Sequence, residues 1–237
     1  MMRNGRSARS RNPFATVGIF LQAEAHEPIK KKGEALEERV ASPIEDLSKE
    51  HGVLERLLLI YDKVINDAAS GMGFNARAVN GATRIFKDYI GEHHDRCEER
   101  YIFPKFREAN YIVELIDILQ YQHDVAKRLT GEILERTSPG SPMDESGVKR
   151  VTGLCCSLVY MYRPHMSREQ TVVFPTFYDI VTEGYIKDIK EEMEAEEKKL
   201  LGETGFRGLV GRVSEIEKEV GTHDLQQYIP QEMHARR

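Results

Sequence analysis

Two stretches of the chain carry the same potential metal-binding side chains at the same spacing. His94-Asp95-Arg96-Cys97-Glu98 is followed by Phe103-Pro104, and His165-Met166-Ser167-Arg168-Glu169 by Phe174-Pro175. Each element recurs 71 positions later (94 to 165, 98 to 169, 103 to 174, 104 to 175). A histidine and a glutamate four residues apart share one face of a helix. His51 and His123 form a second repeated pair, 72 positions apart (51 to 123), and the same offset maps Ile44 and Leu47 onto Ile116 and Leu119. His93 and His94 are adjacent, and the repeat selects His94.

A single histidine on an apolar face is more often a hydrogen-bonded core residue than a ligand. Four helices that each turn a histidine inward, two of them adding a glutamate, are a different matter. Buried without a counter-charge, such groups cost several kcal/mol each, and a cation offsets that directly. Imidazole with carboxylate suits Fe, Zn, Ni or Mn better than Ca or Mg. The six candidates, His51, His94, Glu98, His123, His165 and Glu169, exceed the four ligands of a closed zinc site. They fit two metals. If Glu98 and Glu169 bridge, each metal receives two imidazoles and two carboxylate oxygens. A bridging oxide or water adds one more, leaving a position for dioxygen, peroxide or nitric oxide. A salt-bridged polar core without metal is the competing reading.

The elements that must position these residues are helices. Ser42-Pro43-Ile44-Glu45 is a helix start, with a hydroxyl cap, Pro in the first turn and Glu three after the cap. Behind it Ile44, Leu47, His51, Leu54, Leu58, Tyr61 and Ile65 recur at alternating steps of three and four, until Gly71 and Gly73. A second helix over about 75–103 places Val79, Phe86, Ile90, His94, Glu98 and Tyr101 inward. A third over about 111–137 does so with Ile112, Ile116, Leu119, His123, Ala126, Thr130 and Ile133. A fourth over about 147–180 uses Val151, Cys155, Leu158, Tyr162, His165, Glu169 and Val172, with a kink expected at Pro164. Strand-like alternation is absent. Ile186, Ile189, Met193 and Leu200, then Leu209, Val213, Ile216 and Val220, mark two more amphipathic helices packed on the outside.

Composition narrows the classes. The 237 residues are 40% apolar and 31% charged, with net charge −5, which disfavours a nucleic-acid binder. No stretch approaches the roughly 20 apolar residues of a membrane span. Three Cys exclude a disulfide scaffold and a four-Cys zinc site. Glu-x-x-His, the ferritin-like signature, does not occur, nor does His-Glu-x-x-His, Cys-x-x-Cys or a phosphate loop. Residues 1–12 carry Arg3, Arg6, Arg9 and Arg11 and no acid, followed by an apolar run from Ala15 to Leu21 and Ala23-Glu24-Ala25. That is the outline of a secretory segment over residues 1–25. The alternative, slightly favoured, is a basic tail on a cytoplasmic protein. The domains read as a tail and linker over 1–41, a bundle over 42–180 and a helical extension over 181–237.

With these residues in place, the chain resembles the hemerythrin-like (HHE cation-binding) family over about 42–180. Lys49-Glu50-His51, His94-x-x-x-Glu98-Glu99 with Phe103-Pro104, Gln122-His123-Asp124, and His165-x-x-x-Glu169 with Phe174-Pro175 carry the resemblance. It implies an all-α, up-down four-helix bundle, here with two extra C-terminal helices, around a non-haem di-iron centre with an oxo or hydroxo bridge. It makes His51, His94, His123 and His165 terminal ligands, and Glu98 and Glu169 bridging ones. Oxygen-carrying hemerythrins have five His and a last-helix Asp. Here Lys127 stands four after His123, and the last-helix acid is Glu169. The resemblance implies a protein that binds oxygen or a related small molecule for sensing, storage or delivery. The competing readings are a peroxidase, oxidase or nitric-oxide-reducing enzyme, and an iron storage or repair protein. Glu55 reads as a surface residue rather than a group that ligates or orients His51. His93 and Glu99 read as facing outward or backing the ligands, Tyr162 as packed rather than a phenolate ligand or proton donor, and Cys97 and Cys155 as small core residues.

Overall fold

The structure, a computed structural model, describes residues 42–230; the secretory-segment expectation lies outside them. The first helix, α1 (Pro43–Ala69), begins as its sequence dictates. Ser42 Oγ accepts from the Glu45 N–H at 3.1 Å, and Glu45 Oε2 accepts from the Ser42 N–H at 2.8 Å. It ends where Gly71 and Gly73 take positive φ.

The second rod, α2, covers residues 76–108 and is not α-helical throughout. Ala76–Ile85 is α, Phe86–His94 π-helical, Asp95–Cys97 α, Glu98–Ile102 π-helical and Phe103–Glu108 α. It therefore runs beyond the expected end near 103. After α3 (Val113–Arg136), the fourth rod, α4, repeats the device: Glu145–Arg168 is α, Glu169–Val173 π-helical and Phe174–Ile180 α. Pro164 sits inside the α-helical segment, and the departure from α hydrogen bonding falls at Glu169.

The repeated Phe-Pro explains the matching π turns. Pro has no N–H to give to the carbonyl four residues back. The bond of the preceding residue is shifted by one position: Phe103 N–H reaches Glu98 O and Phe174 N–H reaches Glu169 O. Single π turns of this kind gather at functional sites. Both begin at a candidate ligand.

Along each of the four rods a polar layer separates two apolar clusters. In α1, Ile44 and Leu47 belong to one cluster and Leu54, Leu58 and Tyr61 to the other, with His51 between. In α2 the order is reversed: Phe86 and Ile90, then His94 and Glu98, then Ile102 and Phe103. It reverses again in α3 (Leu119, His123, Ala126) and in α4 (Leu158 and Tyr162, His165 and Glu169, Val173 and Phe174). Neighbouring rods thus run antiparallel, and the described residues form an all-helical bundle without strands.

Two further helices, α5 (Glu183–Leu201) and α6 (Gly205–Val220), pack on α1 and α2. Ile189 and Met193 of α5 join one apolar cluster, and Leu209 and Val213 of α6 the other. Arg56 fixes α6 to α1 through Glu217 (Nε–Oε1 2.8 Å) and Ser214 Oγ (2.8 Å). No helix of the described residues is long and apolar enough to cross a membrane.

Candidate metal centre

The polar layer brings all six sequence-predicted residues together. One donor atom from each of His51, His94, Glu98 and Glu169 lies within 4.8 Å of the others, and the same holds for Glu98, His123, His165 and Glu169. Both groups contain both glutamates. The imidazole Nε2 atoms face the carboxylates: His51 and His165 lie 3.3 and 2.9 Å from Glu169, and His94 and His123 lie 3.7 and 3.5 Å from Glu98. All six are buried, His51 being the most exposed at 6%.

The outward Nδ1 atoms are held in turn. His94 Nδ1 is 2.7 Å from Glu50 Oε2, His123 Nδ1 3.1 Å from Glu99 Oε1, and His165 Nδ1 2.8 Å from Gln122 Oε1. Each acceptor fixes the tautomer with the proton on Nδ1, leaving the Nε2 lone pair for a cation. Gln170 lies 2.8 Å from His51 Nδ1 and bonds Ser48 Oγ at 3.2 Å. Its Nε2 faces the ring and its Oε1 accepts from the Ser48 hydroxyl; the amide turned over, with its oxygen toward the ring, would hold the His51 Nδ1 proton as at the other three imidazoles. Phe103 stacks on His123 and Phe174 on His51, with ring centroids 5.6 and 5.4 Å apart.

These supports obey the same repeat as the candidate ligands. Glu50 and Gln122 stand 72 positions apart (50 to 122), Glu99 and Gln170 stand 71 apart (99 to 170), and the two Phe belong to the Phe-Pro pairs. Each two-histidine group therefore has one carboxylate-backed and one amide-backed imidazole. Glu50, Gln122 and Gln170 had no assigned role from sequence, although the offsets that select His94 also pick them out. Of the lesser residues, Glu99 backs a candidate ligand. Glu55 pairs with Arg163 at 3.0 Å near the surface. His93 is buried, beneath α5, rather than facing solvent.

Asp95 is the addition that no sequence pattern announced. It is 1% exposed, its Oδ2 accepts from Tyr162 OH at 3.0 Å, and its Oδ1 lies 3.7 Å from His123 Nε2. Its counterpart 71 positions on is Met166 (95 to 166), and that of Tyr162 is Gly91 (162 to 91). The polar pair thus breaks the repeat and makes one side of the centre different. A cavity of about 200 Å³ lies on that side, lined by Phe86, Gly91, Asp95, Ala126, Lys127 and Thr130 among others.

Charge in the layer is unbalanced in a way that fits a cation. Burial raises the Glu98 carboxyl well above its ordinary range, and repulsion from Glu169 and Asp95 adds to this. Burial pushes Glu169 the same way, but the His165 and His51 contacts outweigh it and hold it well below. Burial lowers His51; for His94 and His123 the neighbouring carboxylates, Glu50 and Asp95 foremost, overcome burial and raise them. Among the described residues, seven buried side-chain N or O atoms lack a hydrogen-bond partner. Six are in this layer: His51 Nε2, Asp95 Oδ1 and both oxygens of Glu98 and Glu169. Orphaned carboxylate oxygens in a dry core are costly. Imidazole and carboxylate donors together are a borderline transition-metal set, so these residues fit a cation centre.

The hemerythrin HHE cation binding domain matches residues 42–177, and the chain belongs to that family. Its relatives include an uncharacterized protein of Mycobacterium bovis and two of Mycobacterium tuberculosis strains. Each is 35% identical over 186 residues, covering 78% of this chain and 73% of the relative. No solved structure matches. A cation-binding helical protein is thereby shown.

Proposed function

We propose that this chain is a non-haem di-iron protein that binds dioxygen or a related small ligand, for sensing, storage or delivery. In this reading the rods α1 to α4 form an up-down four-helix bundle. His51 and His94 would hold one iron and His123 and His165 the other, with Glu98 and Glu169 offering carboxylate oxygens to both. The observation that carries it is the pair of two-histidine groups sharing both glutamates within 4.8 Å. When bound, iron supplies a redox-active Lewis acid in a water-poor site.

The chain's own groups do the rest. Glu50, Glu99, Gln122 and Gln170 keep the imidazoles oriented, and the two Phe rings keep their planes fixed. Lys127, where oxygen carriers have a fifth His, leaves that position to the cavity beside Asp95. Asp95 is the member of the polar layer that lines this cavity. Anaerobic reduction followed by oxygen addition, monitored optically, tests the reading. A spectrum that reverses on degassing supports it; immediate, irreversible oxidation counts against carriage.

One observation favours a second reading, an enzyme acting on peroxide or nitric oxide. The Tyr162–Asp95 hydrogen bond, which breaks the repeat, places a phenol and a carboxylate together beside the cavity. Turnover by iron-loaded protein that falls in Tyr162→Phe supports this reading, and absence of turnover with both substrates removes it.

A further inference from the structure

A second cluster of donors lies outside the six-residue layer, where α5 crosses α2. The donor atoms of Glu50, His93 and Glu197 lie within 4.8 Å of one another, and so do those of His93, Cys97 and Glu196. His93 is common to both, and its two ring nitrogens serve different neighbours. Nε2 is 3.4 Å from Glu50 Oε1, and Nδ1 is 3.7 Å from Cys97 Sγ. Glu50 and His93 are nearly inaccessible, at 2% and 3% exposure.

Glu50 and Glu197 draw on one shared proton donor. Tyr89 OH is 2.9 Å from Glu50 Oε1 and 2.8 Å from Glu197 Oε1. A phenol has one proton to give, and two carboxylate oxygens compete for it. Glu50 pairs with His93 and His94, Glu197 accepts from Tyr89, and Lys190 lines the cleft that Glu50 and Glu197 share. Access from outside exists. His93, Tyr89 and Glu196 line a cavity of about 650 Å³ between α2, α5 and α6, and Glu50, His93 and Glu197 line a small cleft beside it.

We propose that Glu50, His93 and Glu197 form a third site, for a divalent first-row transition cation, on the path by which metal reaches the buried centre. One imidazole with two carboxylates suits Fe2+, Mn2+ or Zn2+. Glu50 is the link to the interior, because its other oxygen holds His94 Nδ1 at 2.7 Å. The loading role rests on the two-cation reading of the centre; the site itself does not. α5 supplies Glu197, so the C-terminal extension completes the site.

The test is metal stoichiometry and loading rate on the metal-free full chain, with Co2+ as probe, in wild type and Glu197→Gln. Glu197 is half-buried on an outer helix, and Gln keeps its shape and its bond to Tyr89. Equilibrium dialysis is expected to give three Co2+ in wild type and two in Glu197→Gln. Filling of the inner pair, followed by stopped-flow absorbance, is expected to slow about tenfold or more, the lower end of what loss of a metal-supporting group produces. Equal counts and equal rates overturn the proposal. A wild-type count of one that drops to none in Glu197→Gln keeps this site and removes the two-cation centre instead.

Discussion

Glu50→Gln removes one buried charge and little volume, and its consequences can be worked through. Glu50 is 2% exposed and touches His94, His93 and Tyr89. Burial alone would raise its carboxyl, but the His93 and His94 hydrogen bonds outweigh burial and bring it from 4.5 to about 2. At roughly 1.4 kcal/mol per pH unit, the difference between 4.5 and 2 corresponds to about 3 kcal/mol of folding stability. The carboxyl is depressed in the folded protein, so this contribution is complete above 4.5 and is lost as the pH falls toward 2. Urea unfolding of the metal-free protein should therefore show Glu50→Gln about 3 kcal/mol less stable near neutral pH. The gap should close across that acid window. A gap that stays constant down to about pH 2, or none near neutrality, refutes the assignment of Glu50 as an ionised partner of the two imidazoles. With metal loaded, the same variant should bind cations about 10–100-fold more weakly, since His94 loses the group that orients it.

His94→Ala and His165→Ala should each lose bound iron and thermal stability together, because metal binding is coupled to folding; retained iron in both refutes the ligand assignment. Pro175→Ala restores an N–H that can bond Thr171 O and so pull Glu169 out of its π turn. Melting temperature should hold or rise while cation affinity falls about tenfold or more; unchanged affinity refutes the role given to Phe-Pro. Glu98, His94 and His123 are held raised and so keep protons until the pH passes their folded values. Loading cations must displace these protons, so a pH-stat should record acid release and affinity should rise with pH; binding without proton release contradicts the charge balance described.

Much of this was legible in the chain before its folding was known. The alternating spacing behind Ser42 placed His51 in an apolar stripe, and the repeat chose His94 over His93. Both depend on local periodicity, which sequence displays directly. The groups behind the imidazoles were harder to read. Glu50 and Gln122 sit next to histidines in the sequence, yet they serve histidines on other rods, so only packing reveals the pairing. Asp95 breaks the repeat and has no partner pattern to expose it. The π turns were hidden because an N–H missing at Pro shifts the hydrogen bonds before it, an effect that helical periodicity does not show. The burial of His93 depended on where α5 lands, which is set by Ile189 and Met193 joining an apolar cluster contributed largely by other helices.

Anomalous diffraction at the iron absorption edge, on crystals of iron-loaded protein, tests the central claim most directly. Two peaks should appear, one beside His51 and His94 and the other beside His123 and His165, with Glu98 and Glu169 between them. A single peak among the six residues, or none, would contradict the shared-carboxylate centre.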